Sequence, residues 1–101
     1  RAFSIQTAIS SSAQPQDIVT PGHVLALMGV QGGVLERDGH TEASLDLAKL
    51  SGLNVSAVIC ELLDEKGDAA DRNYLKSFSE KFNIKIGTVA DLITYRKSLQ
   101  R

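Results

Sequence analysis

Arg37-Asp38-Gly39-His40-Thr41 is the run of this sequence whose residue types speak most directly of chemistry. Arginine supplies a planar, permanently charged fork that matches phosphate. Gly39 lets backbone approach a ligand closely, and a neutral His40 imidazole can bind a divalent metal. Thr41 offers a hydroxyl and a backbone N–H at a helix start, where free N–H groups and the macrodipole attract anions. A phosphate gripped by Arg37 and Thr41, beside a metal on His40, is physically coherent. A polar helix cap with incidental charges accounts for the same five residues.

Two further positions invite a chemical reading. Glu61 ends the apolar run Val55-Ser56-Ala57-Val58-Ile59-Cys60, where an unpaired carboxylate is costly to desolvate. Carboxylates at strand ends in α/β folds often face the ligand crevice, where burial raises their pKa towards proton transfer. A solvated residue where the strand leaves the core is the alternative. His23 follows Thr20-Pro21-Gly22, a turn able to aim one imidazole into a cleft, or simply to display a surface histidine. Cys60 reads as a small buried apolar residue, because no flanking cation is placed to lower its pKa. Asp64, Glu65 and Asp68 lack the ligand spacing of a calcium loop and read as a solvated turn.

The elements that must position these groups alternate along the chain. A short helix is expected over Ser4–Ser10, a polar loop through Pro15, and a short strand over Val24–Val30 ending at Gly32-Gly33. A helix from Thr41 or Glu42 to Leu50 would set Ala43, Leu47 and Leu50 on one face, with Leu45 and Ala48 widening it and Gly52 as the C-terminal cap. Val55–Leu62 is the clearest strand, a nearly continuous apolar run of the kind covered on both faces. Asp71 can cap a helix carrying Leu75, Phe78 and Phe82 on one face. Ile84–Val89 reads as another strand, and Ala90–Leu99 as a last helix. This alternation points to a layered α/β domain without internal repeats.

Bulk properties narrow the function classes. The 101 residues, 43% of them hydrophobic, suit one small domain with a modest core. A formal charge of −1 argues against a dedicated nucleic-acid binder, and no apolar run reaches the roughly 20 residues that span a bilayer. A single cysteine, with no signal-peptide pattern, gives a cytoplasmic setting as the expectation. An opening Arg1 in place of Met suggests a start other than the native one.

Three strings, in order, resemble the C-terminal signature of the 3,4-dihydroxy-2-butanone 4-phosphate synthase family. They are Thr-Pro-Gly-His at 20–23, Gly-Gly-Val-Leu-Glu-Arg-Asp-Gly-His-Thr-Glu-Ala at 32–43, and Val-Ile-Cys-Glu at 58–61. The tail Ile-Gly-Thr-Val-Ala-Asp-Leu-Ile-Thr-Tyr-Arg at 86–96 is similar to the end of the same domain. The resemblance implies a layered α-β-α sandwich with a mixed sheet, of which residues 1–101 would be the C-terminal part of a single domain. It implies a lyase that converts D-ribulose 5-phosphate into L-3,4-dihydroxybutan-2-one 4-phosphate and formate for riboflavin biosynthesis, working as a homodimer with Mg²⁺ or Mn²⁺. His40 would be a metal ligand, and Arg37, Asp38, Gly39, His40 and Thr41 would hold substrate and its phosphate. His23 and Glu61 would be catalytic, plausibly in proton transfer, with Glu61 also touching substrate. The competing expectation is a non-catalytic remnant of that domain, lacking the family's N-terminal acidic loop.

Overall fold

Local signals set most of the helices. The structure, a computed structural model, describes residues 1–18, 22 and 24–100. Helix α1 spans Ala2–Ala8, α2 His40–Leu50, α3 Arg72–Phe82 and α4 Val89–Leu99, with short 3-10 turns at Pro15–Asp17 and Gly33–Leu35. The Asp71 carboxylate accepts the Tyr74 N–H at the head of α3, and the Thr88 hydroxyl accepts the Asp91 N–H at the head of α4. Each removes one of the orphan donors that every helix start carries. Helix α2 ends in a Schellman arrangement. Gly52, at φ +74°, donates to Lys49, and Leu53 donates to the Ala48 carbonyl, both at 3.0 Å. Asn83, at φ +53°, ends α3 in the same left-handed conformation.

Among the described residues the expected mixed sheet is not there. Val24–Val30, Val55–Leu62 and Ile84–Thr88 form no strands, and the one β pairing among the described residues is an isolated antiparallel bridge between Leu63 and Ala69. The layered α-β-α sandwich is therefore corrected, for this chain, to helices joined by extended, unpaired segments. The physical reason is that a strand is defined by its neighbour. An apolar, β-branched run favours an extended backbone, but ladder hydrogen bonds need a second segment alongside. No backbone hydrogen bond joins these three segments to one another. Their side chains lie open accordingly: Val58 is 69% exposed and Met28 95%. Cys60, expected inside, is exposed as well.

What core there is gathers where α2, α4 and the Gly33–Leu35 turn meet. Val34 and Ala43 are its buried apolar residues. The face of α2 turned inward differs from the expected one: it carries Glu42, Ala43 and Asp46, while Leu47 and Leu50 are exposed. Along α3, the rings of Tyr74, Phe78 and Phe82 follow one another on one face. The whole is open. Its radius of gyration is 15.9 Å, against about 13 Å for a compact domain of this length. Its accessible surface is 8761 Å², against about 5,600 Å² for a compact monomer of this mass.

Candidate functional site

The segment from Gly29 to Gly39, irregular but for the 3-10 turn at Gly33–Leu35, wraps around two carboxylates of α2. Glu42 and Asp46 stand one turn apart, so their side chains leave the helix on the same face. One Glu42 oxygen accepts the Val30 N–H at 3.1 Å and the other accepts from Arg37 Nη1 at 2.6 Å. One Asp46 oxygen accepts both the Val34 N–H at 2.9 Å and Arg96 Nη1 at 3.0 Å, and the same arginine nitrogen donates to the Gly32 carbonyl at 2.8 Å. A loop without regular structure has backbone donors to satisfy. Here two carboxylates satisfy them, and two arginines balance the buried charge.

Glycines make the wrapping possible. A Cβ on Gly33 would run into the Asp46 carboxylate, and its φ of +64° already disfavours other residues. A Cβ on Gly39 would collide with both the Arg37 guanidinium and the Glu42 carboxylate. The Arg37–Glu42 ion pair is thus seated directly over Gly39, which also begins α2 without contributing a capping side chain.

Glu42 is only 1% exposed. Burial alone would push its carboxyl up. The hydrogen bonds from Arg37, from the Val30 N–H and from its own backbone N–H, with the Arg37 charge, outweigh burial and hold it below the ordinary value of 4.5. Arg37 remains 62% exposed in its side chain, so most of the guanidinium fork still faces solvent.

Of the residues expected from sequence, Arg37, Asp38, Gly39, His40 and Thr41 lie together at the entry to α2. Asp38 and His40 are exposed, Gly39 and Thr41 half-buried. Glu61 is not brought to them by any side-chain hydrogen bond or ion pair among the described residues, and it is exposed in an extended segment where a buried strand end was expected. His23 lies outside the described residues, as does most of the Thr20-Pro21-Gly22 turn. Sequence reasoning missed Glu42, Asp46 and Arg96. The signal was available in two acids four residues apart, flanking Ala43 on the face that a purely apolar reading would assign to solvent.

Among the described residues no group of three or more His, Cys, Asp and Glu is placed to hold a metal ion. Both Glu42 oxygens and one Asp46 oxygen are taken by backbone and arginine donors. His40 can supply one nitrogen, which by itself does not make a site for a hard divalent cation.

Comparison with known proteins places this geometry. The profile of the 3,4-dihydroxy-2-butanone 4-phosphate synthase family matches residues 1–95. The 3,4-dihydroxy-2-butanone 4-phosphate synthase of Neisseria meningitidis serogroup B is 52% identical over 96 residues, covering 95% of this chain and 26% of that protein. The riboflavin biosynthesis protein RibBA of Aquifex aeolicus is 54% identical over 96 residues, again 95% of this chain and 24% of that protein. The crystal structure of RibBX, a two-domain 3,4-dihydroxy-2-butanone 4-phosphate synthase from A. baumannii, superposes with a TM-score of 0.91 at 55% identity, covering 95% of this chain and 29% of that one. The chain spans about a quarter of the length of these relatives. Matched in sequence over nearly its whole length and in backbone over the same stretch, the chain belongs to the 3,4-dihydroxy-2-butanone 4-phosphate synthase family.

Proposed function

We propose that this chain forms part of a lyase that converts D-ribulose 5-phosphate into L-3,4-dihydroxybutan-2-one 4-phosphate and formate, a step of riboflavin biosynthesis. The observation that carries the reading is Arg37. One of its nitrogens is bound by Glu42, the rest of its fork is open, and Gly39 and the head of α2 lie beside it. That arrangement suits a phosphate monoester, with charge-assisted contacts from Arg37 and the Thr41 hydroxyl or N–H. Asp38, Gly39 and His40 line the same approach and would hold the sugar.

The reaction rearranges the carbon skeleton, breaking two carbon–carbon bonds and forming one as a single carbon leaves as formate, and its atoms balance without an external oxidant. It must begin by removing a proton next to a ketone, so it needs a general base and an acid able to return the proton. Glu61 and His23 are the residues we assign to those transfers. A bound Mg²⁺ or Mn²⁺ would supply Lewis-acid stabilisation of the enediolate oxygen. Its ligands would be His40 and oxygen donors from outside the described residues. The proposal includes a homodimer in the cytoplasm, acting on a small sugar phosphate with no nucleic-acid or membrane partner. For the described residues, no helix is long and apolar enough to cross a membrane.

The test is a chimera in which this chain replaces the matched residues of the N. meningitidis protein. With Mg²⁺ it should release formate from ribulose 5-phosphate, while the 101-residue chain alone should not. No formate from a folded chimera would favour a non-catalytic remnant, a reading in keeping with the open position of Glu61.

A further inference from the structure

We infer that Glu42 is a positioning residue for substrate phosphate, acting through Arg37. The inference rests on the reading of Arg37 as the phosphate grip and deepens it. An arginine side chain has many rotamers, and holding it in one costs entropy on binding unless something has already fixed it. Glu42 does this at 2.6 Å on one nitrogen only, and among the described residues the remaining N–H groups have no partner, which suits an anion.

Three features of the site bear on this. Glu42 is itself immobilised, because its second oxygen accepts the Val30 N–H and it is the largest fully buried side chain among the described residues. Gly39 leaves room for the pair to lie against the backbone from which α2 starts. The ion pair runs from a buried carboxylate to a largely exposed guanidinium. A pair serving the core alone gains nothing from leaving the cation in water, where a surface charge contributes little to stability. Its outward fork does suit a ligand that arrives from solvent.

The substitution that isolates the effect is Glu42→Gln. The two Glu42 oxygens have different partners. A glutamine can keep its amide oxygen on the Val30 N–H, but must then turn its NH₂ towards Arg37, donor against donor. The loop stays anchored while Arg37 is released.

The experiment uses the full-length chimera and two readouts: the Kd for inorganic phosphate by calorimetry, and KM against kcat for ribulose 5-phosphate. Glu42→Gln should weaken phosphate binding and raise KM by about tenfold each, with kcat changed less than about threefold, the pattern of lost ground-state binding. Arg37→Ala should weaken both at least as much. The double variant should match Arg37→Ala within about twofold, because without Arg37 there is nothing left for Glu42 to position.

A Glu42→Gln protein that binds phosphate as tightly as its parent overturns the inference. So does a double variant much weaker than Arg37→Ala, which would give Glu42 a structural role independent of Arg37. If the parent chimera binds phosphate no better than its Arg37→Ala variant, the phosphate grip and the inference fall together. If it binds phosphate but releases no formate, the proposed reaction fails while the Kd series still decides the inference.

Discussion

Replacing Asp46 should loosen the loop from α2, and the cost can be worked out oxygen by oxygen. Asp46→Ala removes the acceptor of the Val34 N–H, held at 2.9 Å beside a side chain that is 2% exposed. A buried donor left without a partner costs about 1–3 kcal/mol. Arg96 loses its carboxylate but keeps the Gly32 carbonyl at 2.8 Å, and its side chain is 24% exposed. Solvent screening limits that part to at most about 1 kcal/mol. The expected loss for Asp46→Ala is therefore about 1–4 kcal/mol. Asp46→Asn should cost far less, about 1 kcal/mol, because a single Asp46 oxygen accepts both bonds and an amide oxygen in its place keeps both. Urea unfolding of the chimera and its two variants measures the difference as a shift in midpoint at unchanged slope. Equal destabilisation by alanine and asparagine would refute the argument, since the charge alone would then be what holds the loop.

Three other outcomes are expected. Gly33→Ala should destabilise the chimera by at least about 2 kcal/mol, combining a left-handed backbone with a methyl group thrust into Asp46; an unchanged melting temperature would refute it. Because the folded site holds the Glu42 carboxyl below 4.5, its stabilising contribution is complete above that value and is lost as pH falls through the lowered one. The stability gap between parent and Glu42→Gln should then shrink as pH falls below 4.5, and a gap that stays constant on acidification would contradict this. Finally, Glu61→Gln should lower chimera turnover by about 10²–10⁴ with metal affinity retained, whereas His40→Ala should weaken Mn²⁺ binding measured directly. The opposite pattern would exchange the two assignments.

How much of this was legible in the sequence follows from the range of the forces involved. The caps at Asp71 and Thr88 and the glycine stop at Gly52 work within a few residues; α2 and α4 fall within a residue or two of their expected bounds, and α3 starts at its expected cap, Asp71. The Val55–Leu62 run has an equally clear local signal, yet it forms no strand, because pairing depends on a partner that local composition cannot specify. Glu42 and Asp46 escape a reading of the sequence for a related reason. Acidic residues on a helix ordinarily mark the wet face, and only the loop folded over α2 shows that these two face backbone donors instead of water.

The same carboxylates explain why the string from Gly29 to Asp46 is so particular in its composition. Glycines at 33 and 39 clear space for acids that are already engaged, and the acids replace the partners that an irregular loop would otherwise lack. Helix α4 packs against α2 and the Gly33–Leu35 turn, and among the described residues its polar link to the arrangement is Arg96, with one nitrogen shared between the Gly32 carbonyl and Asp46. The segment proposed to grip phosphate is thus fixed by charged contacts within a chain whose apolar surfaces are largely open. Covering Val58, Met28 and their neighbours with further polypeptide would add stability by burial. It would not need to alter the loop, because the bonds that shape the loop are already made between residues 29 and 96.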